Sequence, residues 1–407
     1  MIHREDGSTV WRAVRAVYFA LVLWIPIETV YLFKNGEESG GITVSRLLGL
    51  IVCGLALLEP GRCFRRFPAG VWPLAWYIAA YTASQLWIPS ELDGYFRAQH
   101  ATLIQMAVLF FISANLFEDA GFRESLLRFY GWWIGLVAIA MLISGTAFSD
   151  GRTSLGAQDP NVTAGFFAMG AACLVGDRRL FAPGRSKAAS AAALVMMGVL
   201  IYGILSTGSR GGLMAFAAGV LALGACGGKG NRKRNILIAG AAIVVLGLMI
   251  RREFQAGTTT SARLDRAWNE GDTAGRTLIW DMAWEMFRER PLLGYGGVNN
   301  FFTLGTRMNF PFRNTHNLLL AVLTEVGLIG GIPFFAAVLY VTWLAWRHGG
   351  LTGEAVPFAL MAVQLTINAS ITGKDDKLFW VVLAAAAACR SSIRVKVEER
   401  GLETIPS

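Results

Sequence analysis

Residues 317–346, NLLLAVLTEVGLIGGIPFFAAVLYVTWLAW, decide the fold because they contain a single charged residue, Glu325. About 20 apolar residues are enough for a helix to cross the hydrocarbon core of a bilayer. Of the 407 residues in the chain, 54% are hydrophobic and 16% are charged; ordinary soluble domains have about 45–50% and 25%. The sequence therefore predicts an all-α integral membrane protein and excludes a cytosolic enzyme, a disordered chain and a secreted disulfide scaffold.

Other apolar runs extend this pattern along the chain and indicate about twelve transmembrane helices. They are residues 15–33, 42–58, 71–89, 101–117, 129–148, 161–176, 187–206, 211–226, 235–250, 317–346, 354–371 and 377–390. We expect nine helices in residues 1–250, one large outer loop over 251–316, three helices in 317–390 and a cytoplasmic tail over 391–407.

The distribution of Lys and Arg predicts the orientation of the chain. With the N-terminus in the cytoplasm, the inner segments carry 21 of these residues, the short outer loops carry 7, and loop 251–316 carries nine. Cytoplasmic segments are enriched in Lys and Arg, and long loops are discounted in the comparison. Both termini are therefore expected in the cytoplasm. The net charge of +9 then reflects topology, and nucleic acid is not expected as a partner.

Patterns typical of metal or nucleotide chemistry are missing from the sequence. It has no Cys/His cluster, no outer carboxylate cluster and no P-loop, so we expect no metal site and no cofactor. In one short outer loop, Asp375 and Asp376 are flanked by Lys374 and Lys377. That arrangement indicates a self-neutralised turn.

Residues 276–290, RTLIWDMAWEMFRER, have the spacing of an amphipathic helix inside the outer loop. Its apolar stripe comprises Ile279, Ala283, Met286 and Phe287. Since the run is too polar to span, we expect it to lie along the membrane surface. Two interpretations remain open for its aromatic residues Trp280 and Trp284: an inert lid on the bundle, or a surface that faces sugar or lipid.

Outward-facing arginines are the main candidates for binding an anion. Arg210 lies in LSTGSRGGLMAF, residues 205–216, where a guanidinium and a helix N-terminus together suit phosphate. The alternative is an arginine that snorkels to the interface. Arg276 and Arg288, at either end of the amphipathic run, are further candidates. Arg152 precedes a predicted N-cap, Asp159, and remains within reach of the same cleft.

His316 is the histidine best placed for chemistry at the outer face, because it lies where the outer loop meets the apolar run that begins at Asn317. A neutral imidazole at this point could accept a hydroxyl proton. The alternative is a histidine that caps the helix or contacts lipid headgroups. Glu325 would face away from His316 on a straight helix. We expect Glu325, and likewise Glu28, to be a polar partner between helices.

Three motifs in order resemble the O-antigen ligase and polymerase superfamily. They are STGSRGG at 206–212, GRTLIWDMAWEMFRERPLLGYGGVNNF at 275–301 and THNLLLAVLTEVGLIGG at 315–331. The resemblance covers roughly residues 150–346. It implies a GT-C-like fold and an inverting, metal-independent glycosyltransferase. Carried over by motif, Arg210 and Arg276, and less directly Arg288, would bind the donor pyrophosphate, and His316 would deprotonate the acceptor hydroxyl.

The resemblance also implies the substrates and the location. The donor would be a glycan on undecaprenyl pyrophosphate, and the acceptor the lipid A-core oligosaccharide. The reaction would take place at the periplasmic face of the bacterial inner membrane, among membrane lipids. The single large outer loop favours a ligase. A polysaccharide polymerase or a protein O-oligosaccharyltransferase of the same superfamily remains an alternative, as does a transporter or flippase with twelve helices.

Overall fold

The computed structural model describes residues 8–28, 31–35, 39–144, 146–147, 152–156, 158–180, 186–226 and 275–399, with separate short stretches between 236 and 265. Much of the predicted ninth helix, 235–250, and most of the outer loop before Gly275 lie outside the described residues. The predicted tail is described as far as Glu399.

Helices dominate the described part of the chain. They are α1 Thr9–Trp24, α2 Val44–Leu58, α3 Pro60–Cys63, α4 Val71–Ala83, α5 Asp93–Leu116, α6 Ala120–Ser144, α7 Pro160–Gly176, α8 Lys187–Ser206, α9 Arg210–Ala225, α10 Arg276–Glu289, α11 Asn299–Arg307, α12 Leu318–Thr352, α13 Val356–Ile367, α14 Lys377–Ala387 and α15 Cys389–Glu399. Two short antiparallel hairpins pair β1 Tyr31–Asn35 with β2 Ser39–Thr43 and β3 Thr146–Ala147 with β4 Thr153–Ser154.

The helices agree with the apolar pattern of the sequence. Each predicted segment other than 235–250 overlaps a helix, although the predicted first segment, 15–33, also extends into β1. Five helical stretches are long and apolar enough to cross a membrane, namely Thr9–Ile27, Ser90–Leu116, Ala120–Ser144, Lys187–Ser206 and Leu318–Thr352. Four further apolar helices, α2, α7, α9 and α13, are shorter. The protein is therefore a multi-pass, all-α membrane protein, whereas the count of twelve spans, the GT-C-like fold and the division into regions stay predictions.

Helix α7 forms the centre of the bundle. It packs against α6, α8, α9 and α13, and its residues from Thr163 to Val175 are buried on every side. Small residues allow the helices to pack this closely. A Cβ on Gly170 of α7, for example, would come within 2.7 Å of the Ile134 side chain on α6. A helix that is apolar all round belongs inside a bundle.

Helix α12 is broken at Gly327, where the sequence had predicted one continuous span. Gly327 has φ 58° and ψ −157°, values that a residue with a Cβ rarely adopts. The part after the break, 328–352, is roughly 37 Å long, which is enough to cross a core of about 30 Å by itself. The part before the break, 318–326, is therefore not needed to cross the membrane.

The segment 291–296 repairs the break. In a regular helix each N–H donates to the carbonyl four residues earlier, so the break frees two carbonyls before it and two N–H groups after it. All four bond to this segment instead. The bonds are Tyr295 N to Thr324 O at 2.8 Å, Gly296 N to Glu325 O at 2.9 Å, Leu328 N to Pro291 O at 2.8 Å and Ile329 N to Leu292 O at 3.1 Å.

The hydrogen bonds across the break predict that a Cβ at Gly294 destabilises the protein. Gly294 has φ +65°, and a Cβ there would come within 2.6 Å of the carbonyl group of Glu325. We expect Gly294→Ala to lower the free energy of unfolding by about 2 kcal/mol or more, measured as a lower melting temperature of the purified protein. Gly198→Ala is the control, because nothing lies within 4 Å of a Cβ at that helical position. Equal melting temperatures for the two variants would contradict the repair.

Candidate functional site

His316 lies in a tight turn at the start of α12. Its φ of +49° is uncommon for a residue with a side chain, and hydrogen bonds hold it there. The His316 N–H donates to Asn314 Oδ1 at 2.8 Å, and Thr372 Oγ1 donates to the same oxygen at 2.5 Å. Asn317 caps the helix by accepting from the Leu320 N–H at 3.1 Å. The half-buried imidazole is thus presented by a fixed backbone.

Two other elements clamp this turn from either side. From α10, the indole N–H of Trp280 donates to the carbonyl of Thr315 at 3.1 Å. From the end of α13, the carbonyl of Asn368 accepts from the Leu318 N–H at 2.9 Å. Trp280 therefore positions the residue before His316, and the amphipathic helix is part of the site.

Arg210 is the first residue of α9. Its neighbour Ser209 caps the helix by accepting from the Gly212 N–H at 3.0 Å. A Cβ on Gly211 would come within 2.4 Å of Ser370 Oγ, so the start of α9 lies directly against the loop after α13. That loop thus contacts the turn of His316 through Asn368 and the turn of Arg210 through Ser370.

Hydrogen bonds connect the start of α7 to the turn before Arg210. Asp159 caps α7, as predicted, by accepting from the Asn161 N–H at 2.7 Å. Asn161 Oδ1 accepts in turn from Ser209 Oγ at 2.8 Å, and Arg152 Nε donates to the carbonyl of Thr207 at 2.8 Å. Arg152 therefore lies at the turn that carries Arg210.

Electrostatics show what surrounds the imidazole. The pKa of His316 lies below its ordinary value of 6.5, because burial and the nearby charges of Arg276 and Arg313 disfavour the protonated form. The carboxylate of Asp159 acts in the opposite direction. His316, Arg276, Arg313 and Asp159 thus share one electrostatic environment, and the imidazole is neutral at neutral pH.

Arg210 and Arg276 occupy equivalent places in their helices. Arg210 is the first residue of α9, and Arg276 is the first residue of α10, after Gly275 with φ 72°. The N-terminal end of a helix carries a partial positive charge, so it disfavours a cation and favours an anion. Arg276 is also one of the charges that act on His316, whereas the start of α9 is connected to the His316 turn through the loop after α13.

The matching family model covers the three motifs. Residues 192–335, about a third of the chain, match the family described as O-Antigen ligase. This segment carries an O-antigen ligase family domain. No curated protein matches the chain.

The ligase family segment contains Arg210, Arg276 and His316, but not every residue of the site. Arg152, Asp159 and the loop after α13 lie outside it. Arg288 and Trp284 lie inside it, yet both side chains are exposed, with the Arg288 guanidinium 5.8 Å from the Trp284 ring. Arg288 is about 18 Å along α10 from Arg276, so the structure does not bring it to the turn of His316.

The sequence analysis missed Arg313, although it lies three residues before His316. Its guanidinium lies 5.1 Å from the ring of Phe310, and its buried Nε has no hydrogen-bond partner among the described residues. Arg307 is different, because it forms a bidentate ion pair with Glu289 at 2.8 and 2.6 Å. Hydrogen bonds from Arg307 and Tyr295 lower the pKa of Glu289 to about 2.

A buried ion pair joins the loop after α13 to α12. Lys374 Nζ is 3.0 Å from Glu325 Oε1, and the two side chains are 1% and 0% exposed. Tyr77 of α4 donates to the other oxygen of Glu325 at 3.2 Å. The prediction that Glu325 is a partner between helices is therefore confirmed.

The predicted self-neutralised turn holds only in part: Lys374 Nζ does lie 3.3 Å from Asp375 Oδ1, but both lysines also pair with residues outside the turn. Lys374 is buried and reaches α12, where burial without its partner would be costly. Lys377 points the other way and pairs with Glu28, which confirms the predicted role of Glu28 as a polar partner. Asp376 caps α14 by accepting from the Leu378 N–H at 2.9 Å. The loop therefore connects separate helices in addition to the ion pair between Lys374 and Asp375 within it.

The buried pair predicts a strong coupling energy. Lys374→Met should lower the free energy of unfolding by about 3–5 kcal/mol, because it leaves the Glu325 carboxylate buried without a cation. Glu325→Gln should lower it by less, because Asp375 Oδ1 remains 3.3 Å from Lys374 Nζ. The loss in free energy of unfolding in the double variant should be clearly smaller than the sum of the losses in the two single variants. Melting temperatures of the purified variants measure this.

The pair Lys377–Glu28, 17% and 29% exposed, is the matched control for this experiment. The same two substitutions there should cost less, because water solvates the remaining charge. Additive losses in the buried pair would contradict the coupling.

Proposed function

We propose that the protein is an O-antigen ligase that transfers a glycan from undecaprenyl pyrophosphate to the lipid A-core oligosaccharide. The turn of His316 carries this proposal: a neutral imidazole is held beside Arg276 inside a segment that matches the ligase family. The reaction would invert the anomeric centre and need no metal ion. The site would face the periplasm, and both termini the cytoplasm, as the Lys and Arg distribution favours.

His316 is proposed as the general base. The acceptor hydroxyl attacks the anomeric carbon of the donor sugar while its proton passes to the imidazole. The bond between that carbon and the pyrophosphate oxygen breaks on the opposite face. A general base works best when its pKa lies near the operating pH, where it is largely unprotonated before the step and still basic enough to accept the proton.

Arg210 and Arg276 are proposed to bind the pyrophosphate. The leaving group gains negative charge as the glycosidic bond breaks, and two guanidinium groups at helix N-termini can stabilise that charge. Arg152 lies at the turn of Arg210 and is a secondary candidate, as is Asn317 beside His316. Arg288 and Trp284 would act only on a part of the substrate that extends along the exposed face of α10.

A reconstituted transfer assay tests the proposal. Purified protein in vesicles receives undecaprenyl-pyrophosphate glycan and lipid A-core, with EDTA present, and the products are separated on a gel. We expect lipid A-core to shift to higher mass with the wild type. His316→Ala should lower the rate by about 100- to 10,000-fold, the contribution of a general base, yet retain donor binding. Arg210→Gln and Arg276→Gln should instead weaken donor binding.

Each other outcome assigns a different function. A glycan that lengthens on its prenyl carrier would replace the ligase by a polymerase, and transfer to a protein would indicate an oligosaccharyltransferase. Donor that crosses the bilayer without any new product would indicate a transporter. Strong inhibition by EDTA that Mg²⁺ reverses would overturn the metal-independent step.

The charges around His316 predict a pH dependence. Burial and two arginines lower the pKa of His316 below 6.5. As the pH is lowered, kcat/KM should therefore fall only below pH 6.5, and we call this fall the acid limb of the profile. Arg313→Gln removes one of these cations, so the pKa should rise and the limb should move to higher pH. Arg97→Gln, an exposed arginine on α5, is the control and should leave the limb in place. A limb that moves to lower pH in Arg313→Gln would contradict the assignment.

A further inference from the structure

A pocket lined by three arginines lies at the end of the bundle opposite His316. Arg66 lies in the turn before α4, and Arg390 and Arg394 lie on α15. Glu118, after α5, is the acidic residue that lines it, so the lining charges sum to +2. Helix α14 begins next to the loop that contacts the His316 turn and ends at this pocket. We call it the basic pocket.

The wall of the basic pocket is fixed by Asn115. This side chain is 9% exposed, and its Oδ1 accepts from the Arg66 N–H at 3.0 Å while its Nδ2 donates to the Arg66 carbonyl at 3.1 Å. The backbone that carries Arg66 is thus bound to the last turn of α5. The pocket is part of the folded bundle and not a surface formed by chance side-chain positions.

The charges of the basic pocket are only partly balanced by the protein. Arg66 pairs with Glu118 at 3.4 Å. In the described part of the chain, neither Arg390 nor Arg394 has an ion-pair or hydrogen-bond partner. Four residues apart on one helix, they lie on the same face and repel each other, and Arg390 is also in the first turn, where a cation is disfavoured. A bound anion would relieve both effects.

A second arginine-rich pocket does not share this excess of positive charge over acidic partners. It is lined by Arg128, Arg178 and Arg179, but there the protein supplies the counter-charges. Arg128 pairs with Asp177 at 2.9 Å, and Arg179 pairs with Glu124 at 3.4 Å. Only the basic pocket, of these two, lacks acidic partners for two of its arginines.

The basic pocket opens onto an apolar groove. Arg390 also lines this groove, together with Phe67, Trp72 and Tyr340. The rings of Phe67 and Trp72 are stacked with centroids 5.4 Å apart, and the two side chains are 66% and 69% exposed. In a membrane protein such exposed rings at the end of a bundle face lipid. A cationic pocket beside an apolar groove matches a phosphate that is attached to an acyl chain.

We propose that the basic pocket binds the phosphate headgroup of an anionic phospholipid, with an acyl chain along Phe67 and Trp72. The proposal concerns the end of the bundle that is predicted to be cytoplasmic and does not depend on the ligase reaction. The apolar groove distinguishes a lipid from a soluble phosphate ester, which would use the arginines alone.

Native mass spectrometry of the full-length protein with phosphatidylglycerol tests this. Arg390→Gln/Arg394→Gln should retain the lipid about 20- to 30-fold less well than the wild type, on the order of fivefold for each arginine near a headgroup. Arg12→Gln/Arg347→Gln, with the same change in charge outside the pocket, should retain it as the wild type does. Equal retention in both double variants would overturn the proposal.

Two further arms separate the lipid from other phosphates. Soluble glycerol phosphate should not displace phosphatidylglycerol, and phosphatidylcholine, which has no net charge, should be retained weakly by every variant. Phe67→Ala/Trp72→Ala should lower retention of phosphatidylglycerol with the arginines still in place. Displacement by glycerol phosphate, or full retention without the two rings, would overturn the assignment to a lipid.

Discussion

The hydrogen bonds between residues 291–296 and the broken helix α12 are the constraint on which the site depends. Backbone groups freed inside a membrane protein must find partners within the protein, and here the freed groups beside Gly327 find them in one segment. That segment connects α10 to α11, so both helices are held against α12. Because α10 carries Arg276 and Trp280, the repaired break also fixes how the amphipathic helix meets the turn of His316.

The loop after α13 provides the second connection. Asn368 and Thr372 contact the turn of His316, and Ser370 lies against the start of α9. Lys374 then joins the same loop to Glu325, two residues before the break in α12. The two motifs that supply arginine and histidine are therefore held together by residues outside the segment that matches the ligase family. A family match alone would not identify this loop as part of the site.

Sequence patterns predicted the parts of this structure that depend on local periodicity. The apolar runs, the stripe of Ile279, Ala283 and Met286, and the cap at Asp159 all follow from spacing. The break at Gly327 could not be predicted in this way, because a glycine in an apolar run also suits close helix packing. The pairing of Lys374 with Glu325 was missed for another reason. Its partner is 49 positions away, whereas the neighbouring aspartates suggested a local balance of charge.

The charges around His316 also connect donor binding to proton transfer. In the protein alone, Arg276 and Arg313 lower the basicity of the imidazole. A pyrophosphate bound at Arg210 and Arg276, as proposed, would bring negative charge to the same place and offset these cations. The imidazole would then become a stronger base only when the donor is present. Acceptor activation would follow donor binding for an electrostatic reason, without any movement of the turn that holds His316.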